Sequence, residues 1–293
     1  MPEHRRRVAP GATVLRRLVW AAVLAVALPV LFVGAEALAA KPAGKTATVD
    51  AVGLQDDSST TVAPPARSAA PVAPGAASIG VLSGSADLRA HTCTAAVVAS
   101  KTGEVIVTAA HCVSGTGRGL VFAPGYRAGT APHGTWVVTA AYVSAGWLNG
   151  QDPQDDVAFL TVRPASANRS AATVQAVVGG YPLASAAHSG DRVRVTGYVH
   201  GVQTAISCAA TVYPTGGYPS FDCAGFAGGT SGGPWISAGK SALTGVIGGL
   251  HQGGCSPDTS YSAAFDAGTA AVLARAAGNR AADTLPAPHS DGC

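Results

Sequence analysis

The sequence predicts an antiparallel all-β protein of the sandwich or barrel type, exported from the cell. Three observations predict it. Glycine occurs 37 times and proline 19 times, while only 12% of residues are charged and one is Met, a balance that suits turns between strands better than amphipathic helices. From about Ile79 onward, short β-branched runs alternate with turn residues. All six cysteines lie beyond residue 90, behind an N-terminal segment built like an export signal.

That first segment has the layout of a secretory signal peptide over residues 1–39. Arg5, Arg6, Arg7, Arg16 and Arg17 precede an uncharged apolar run from Leu18 to Ala35, and Ala37-Leu38-Ala39 follows as a small-residue cleavage site. An uncleaved membrane anchor is the competing reading, and Pro29 inside the run argues against it. Removing residues 1–39 takes five of the 19 Lys and Arg and two of the 16 Asp and Glu, which leaves 14 of each. The remainder therefore has no net charge to attract nucleic acid or anionic lipid. Residues 40–78 follow as a linker or pro-segment. They are rich in Ala, Pro, Thr, Ser and Val, and Pro64, Pro65, Pro71 and Pro74 deny them regular structure.

The strands come next. "CTAAVVAS" and "EVIVTAAHC" are apolar runs separated by Lys101-Thr102-Gly103, a strand-turn-strand signal. "GTWVVTAAYVS", "DVAFLTV", "DRVRVTGYV", "CAATVY" and "ALTGVIGGL" continue the pattern, and "DRVRVTGYV" alternates as a half-buried strand does. One helix is predicted near the end, in "AGTAAVLARAAG", with Asp266 as its cap and Gly278-Asn279 as its stop. The following "NRAADTLPAPHSDGC" reads as a tail that ends in Cys293. No pair of cysteines has the close spacing of a zinc site, and no cofactor or metal is expected.

Three stretches carry candidate chemistry: "TAAHC" with His111, "DDVAF" with Asp156, and "GGTSGGP" with Ser231. Each alone is weak, since a histidine is more often structural and a serine in a glycine loop is usually only a loop. Together they supply a complete set. A serine hydroxyl needs a base to take its proton as it attacks, and an imidazole serves near neutral pH. A buried carboxylate then holds the imidazole in one tautomer. In "DDVAFL" either Asp155 or Asp156 could be that carboxylate, because neighbouring residues of a strand point to opposite faces. Attack on an amide carbonyl creates an oxyanion, and the backbone N–H groups of Gly229 and Ser231 are the candidate donors.

These stretches resemble the chymotrypsin-type serine peptidases, most of all secreted actinobacterial members, over about Gly80 to Gly278. The order histidine, aspartate, serine separates them from subtilisin-like and α/β-hydrolase triads. The resemblance implies two perpendicular six-stranded antiparallel β-barrels with a C-terminal helix, in a peptidase domain over residues 79–293 whose halves join near 165–190. It favours Asp156 over Asp155. It implies a Cys93–Cys112 bridge beside the histidine; with that pair set aside, Cys208–Cys223 and Cys255–Cys293 are the expected others. Protein or peptide substrates, a monomer in the extracellular space, and membrane contact only through an uncleaved N-terminal segment complete the expectation.

Two positions depart from many relatives. Thr230 stands where an aspartate precedes the serine, so activation by an ion pair is not expected and the oxyanion site is expected to be preformed. Gly225 stands where trypsin-like members carry an acid, so cleavage after Arg or Lys is not expected. Gly225, His251 and Gly253 are the expected substrate-binding residues. "GGLHQGG" resembles the pocket segment of glutamate-specific bacterial members, in which a histidine meets the substrate carboxylate. His91, His133, His188, His200 and His289 have no metal-like spacing and are expected to be structural. The alternatives are a catalytically silent binding protein on the same fold, an anchored surface protein, and an esterase-like hydrolase.

Overall fold

The apolar runs pair into sheets. The computed structural model of the chain describes residues 76–166 and 172–289, and the segment expected to be a signal peptide, most of the expected linker and Cys293 lie outside the described residues. Six strands, β1 (Ile79–Ser83), β2 (Cys93–Val97), β3 (Val105–Thr108), β4 (Val121–Pro124), β5 (Trp136–Tyr142) and β6 (Ala158–Pro164), close into a barrel in the order β1-β2-β3-β6-β5-β4. Every pairing in it is antiparallel, from Ile79 opposite Ala96 to Tyr142 opposite Phe159. Closure leaves no open edge. Trp136, Phe122, Ile106 and Leu160 fill the interior. A short helix, α1 (Ala145–Gly150), leads from β5 toward β6, and a second, α2 (Val174–Val178), follows β6.

The second half carries β7 (Arg192–Gly197), β8 (Ile206–Thr211), β9 (Tyr213–Thr215), β10 (Tyr218–Asp222), β11 (Pro234–Ser237), β12 (Leu243–Val246) and β13 (Thr259–Tyr261). A second six-stranded barrel was expected here. The strands form instead a four-stranded sheet, β12-β11-β7-β8, and a three-stranded sheet, β13-β10-β9. The ladder stops at β9, an edge strand whose Pro214 has no N–H to offer another strand. The Cys208–Cys223 disulfide joins β8 of one sheet to the end of β10 in the other. Side chains of both sheets meet in one core, where Phe221 packs edge-on against Phe226 at 5.3 Å and against Trp235 at 5.0 Å. Such a pair adds about 1 kcal/mol beyond the area it buries.

The C-terminal helix, α3 (Ala267–Ala277), starts at the expected cap. The Asp266 side chain accepts from Thr269 N–H, and the Thr269 side chain answers it in a capping box. Asn279, at φ +52°, takes the left-handed position that turns the chain off the helix. A shared apolar layer then joins the halves, with Val81, Ala96 and Val107 on one side and Tyr198, Leu243 and Val246 on the other. His111 and Asp156 come from the first half and Ser231 from the second.

Candidate functional site

His111 sits in a single 3-10 turn, Ala110–Cys112, directly after β3. The Cys93–Cys112 disulfide ties that turn to the first residue of β2. Closing a loop of this size removes about 3 kcal/mol of unfolded-chain entropy and limits how far the turn can drift. Asp156 follows another 3-10 turn, Pro153–Asp155, capped by the Asp152 side chain accepting from Gln154 N–H.

The two aspartates part company at that turn. Asp155 faces the start of α1, hydrogen-bonded to Ser144, and burial pushes its carboxyl above the ordinary range against that bond. Asp156 is 1% exposed and faces His111. Its Oδ2 accepts from His111 Nδ1–H at 2.7 Å and from Gly249 N–H at 2.9 Å, while Oδ1 accepts the His111 backbone N–H at 2.9 Å. A carboxylate oxygen can only accept, so Nδ1 carries the hydrogen, which in the neutral imidazole leaves the lone pair on Nε2.

Ser231 lies in the loop between β10 and β11, stitched down from both sides. Thr94 N–H donates to Ser231 O at 2.8 Å, Thr94 Oγ1 donates to Gly229 O at 3.0 Å, and Gly232 N–H donates to Ile247 O at 2.7 Å. Gly232 has φ +79°, and a side chain there would meet Thr108 Oγ1 at 2.1 Å. Trp235, fully buried just beyond the loop, anchors it in the second core. His111 and Ser231 line one cleft of about 430 Å³ together with Gly228, Thr230, Ile247 and His251. Among the described residues the Ser231 hydroxyl makes no hydrogen bond, to His111 or otherwise. Such contacts commonly tighten only when substrate fills the cleft.

The loop before the serine has a defined orientation. Gly228 O accepts His200 N–H at 2.8 Å, and the peptide is trans, so the Gly229 N–H points away from His200. Neither Gly229 N–H nor Ser231 N–H donates to any described residue. Thr230 is buried and bonds within the loop, its Oγ1 donating to Ala227 O at 2.8 Å. His200 is itself held, with Nδ1–H donating to His91 O at 2.8 Å. The His91 ring packs edge-on against Tyr126 and Tyr198, and burial lowers its pKa below the ordinary histidine value. Both histidines therefore serve the packing behind the loop.

Of the expected substrate-binding residues, His251 and Gly253 line the cleft. Gly225 does not. It is exposed at the corner of a turn, and the next residues, Phe226, Ala227 and Gly228, line the cleft in its place. Among the described residues no Asp, Glu, Lys or Arg lines the cleft. The third expected disulfide, Cys255–Cys293, has its second cysteine outside the described residues. Among the described residues no group of three or more His, Cys, Asp or Glu side chains is placed to hold a metal ion. Sequence reasoning missed Thr94, the stitch between the halves, and Gly249, the third donor to Asp156. Thr94 left a signal, a polar residue inside an otherwise apolar buried strand; Gly249 left none, because its backbone does the work.

A closed antiparallel barrel bearing the imidazole, beside a second β unit bearing the serine on a glycine loop, is the architecture of the chymotrypsin-like serine peptidases. The chain belongs to the trypsin-like peptidase domain family, whose model matches residues 93–246, and it is a serine endopeptidase. No curated protein sequence matches it significantly. Solved structures do. The protease Anisep from Arthrobacter nicotinovorans is 23% identical, with 71% of this chain and 98% of that one covered and a TM-score of 0.60. A thermostable serine protease from an extremophilic microorganism is 26% identical, covering 70% and 99%, with a TM-score of 0.57. A Glu endopeptidase is 18% identical, covering 73% and 98%, with a TM-score of 0.54.

Proposed function

We propose that the protein is a secreted endopeptidase that cleaves peptide bonds through an acyl-enzyme on Ser231, with His111 as base and Asp156 as its orienting carboxylate. The observation that carries this is the 2.7 Å bond from His111 Nδ1–H to a buried carboxylate, on the wall of the cleft that Ser231 shares. Ser231 Oγ attacks the carbonyl carbon while His111 Nε2 takes its proton. The imidazolium then gives that proton to the leaving amine as the C–N bond breaks. Water repeats the cycle on the ester and restores the hydroxyl. The Gly229 and Ser231 N–H groups, free of other partners among the described residues, receive the oxyanion. Thr230 supports a site formed without an ion pair, since its hydroxyl is satisfied inside the loop. The two disulfides among the described residues fit an extracellular location, and a leader ending at Ala39 accounts for export.

The oxyanion assignment has a sharp consequence. Gly229 has φ +97°, and a Cβ there would lie 2.3 Å from His200 N and 2.7 Å from Tyr198 O, both backbone atoms. Gly229→Ala must therefore turn the 228–229 peptide. Loss of one donor is expected to lower kcat about 10²- to 10³-fold with little change in KM. Steady-state kinetics on a peptide ester and a peptide amide check this; an unchanged kcat removes Gly229 from the site.

We further propose a preference for glutamate before the scissile bond. Among the described residues, the one ionisable side chain on the cleft wall besides His111 is His251, the imidazole that faces a substrate side chain there. That a Glu endopeptidase has a similar fold fits this reading. A cleavage-site profile of the mature protein, beside a Ser231→Ala control, tests the function as a whole. On peptides differing only at that position, kcat/KM for Glu should exceed that for Leu and Arg. His251→Ala should lower the Glu value about 10- to 100-fold, the range of one charge-assisted hydrogen bond, and leave Leu unchanged. Equal cleavage after Leu by the wild type sinks the preference but not the peptidase.

A further inference from the structure

The segment after α3 is not a loose tail. Asn279 turns it off the helix, and it then crosses the first barrel by a series of specific bonds. Tyr142 Oη donates to Arg280 O at 3.2 Å, and Asp283 N–H donates to Ala141 O at 2.9 Å. The Asp283 carboxylate accepts Val143 N–H at 2.9 Å through Oδ2 and Arg275 Nη2–H at 2.7 Å through Oδ1. Arg275 also donates to Val143 O at 3.1 Å, so α3, β5 and the segment are locked at one point. Leu285 is 3% exposed and inserts into the core of the first barrel. Its N–H donates to Gly115 O at 2.7 Å and its carbonyl accepts Gly115 N–H at 3.0 Å. Gly115 lies just beyond the 3-10 turn that carries His111.

The segment then reaches the cleft wall. His289 N–H donates to Gln151 Oε1 at 3.3 Å, and His289 O accepts from Gln252 Nε2 at 2.5 Å. His289 and Gln252 also close, with Trp147 and Gly249, a cavity of about 20 Å³ that Asp156 lines from the other side. The wall needs support at this point. His251 and Gln252 both have φ near +50°, two non-glycine residues in succession in the left-handed region. Such residues persist only where their surroundings over-determine them.

We infer that residues 279–289 are a strap that holds the cleft wall, Leu250–Gly253, in register with the histidine turn, and that Leu285 and Asp283 are positioning residues for substrate binding. This rests on the proposed function of the cleft. The strap touches neither the reacting atoms nor Ser231. The histidine turn is pinned independently by Cys93–Cys112, so loosening the strap falls on the wall, and thus on KM. Leu285→Ala is expected to raise KM for the best peptide substrate about tenfold and to change kcat less than threefold. Asp283→Asn, which leaves the barrel core filled, should act in the same direction and serves if Leu285→Ala does not fold. Leu285→Met should restore the wild-type KM.

The decisive measurement is coupling. Gln252→Ala removes the Gln252–His289 bond between wall and strap, so adding Leu285→Ala to it should raise KM by less than Leu285→Ala does alone. Kinetics on the full mature chain, with active sites counted by a fluorophosphonate, give all four corners of the cycle. Additive effects on KM, or a lower Tm with unchanged KM, overturn the strap. Failure of the wild type to react with the fluorophosphonate overturns the proposed chemistry instead, so the two readings fail separately.

Discussion

Ser231→Ala is expected to lower kcat about 10⁶-fold while leaving the fold intact. The magnitude follows from the role: without the nucleophile no acyl-enzyme forms, and the remaining groups only bind and polarise the substrate. The intact fold follows from the environment. The Ser231 hydroxyl has no hydrogen-bond partner among the described residues, so its removal orphans nothing. The bonds that hold the loop run through backbone atoms that alanine keeps, Ser231 O to Thr94 N–H among them. Unfolding free energy should stay within about 0.5 kcal/mol of wild type. Residual turnover in a rigorously purified variant above roughly one part in 10³ would dismiss Ser231 as the nucleophile, whatever the fold.

Asp156→Asn is the second large effect, about 10⁴-fold in kcat. The carboxylate accepts three N–H groups, two on Oδ2 and one on Oδ1. An amide has one acceptor and one donor end. If its NH₂ replaces Oδ1, it opposes the His111 backbone N–H. If it replaces Oδ2, it opposes both His111 Nδ1–H and Gly249 N–H, and the ring must move its hydrogen to Nε2. That second tautomer has no lone pair facing Ser231, which is why the loss exceeds that of an ordinary hydrogen bond. Asp155→Asn, at a carboxyl directed to Ser144, should leave kcat within about threefold. A larger loss at Asp155 than at Asp156 would reverse the assignment of the orienting carboxylate.

Parts of this molecule were legible before any coordinates. The runs around Cys93, Val105, Trp136, Ala158, Arg192 and Leu243 became strands because β-branched residues bounded by Gly, Asp and Lys-Thr-Gly turns leave little else to form. The helix beginning at Ala267 followed from its cap. Less legible were β9, β10 and β13, three to five residues each, whose Pro214 and Pro219 argue against strands. They exist because partners and a disulfide hold them. Gly225 lies outside the cleft lining, because a spacing counted along the chain does not say which side of a turn faces the cleft. Gly249 was invisible because its contribution is a backbone N–H.

What the sequence by itself determined is the inventory and the local grammar: which side chains can do acid–base and nucleophilic work, where strands start, and where α3 begins. Those properties depend on residues within a few positions of one another. Residue pattern left Asp155 and Asp156 open, with a family resemblance favouring the second; only the tertiary structure put Asp156 against His111, made Thr94 the stitch between the halves beneath Ser231, and brought residues 279–289 to the cleft wall. Each of these is a contact between segments separated by 37 to 135 residues, set by the packing of whole sheets, and no local periodicity encodes it.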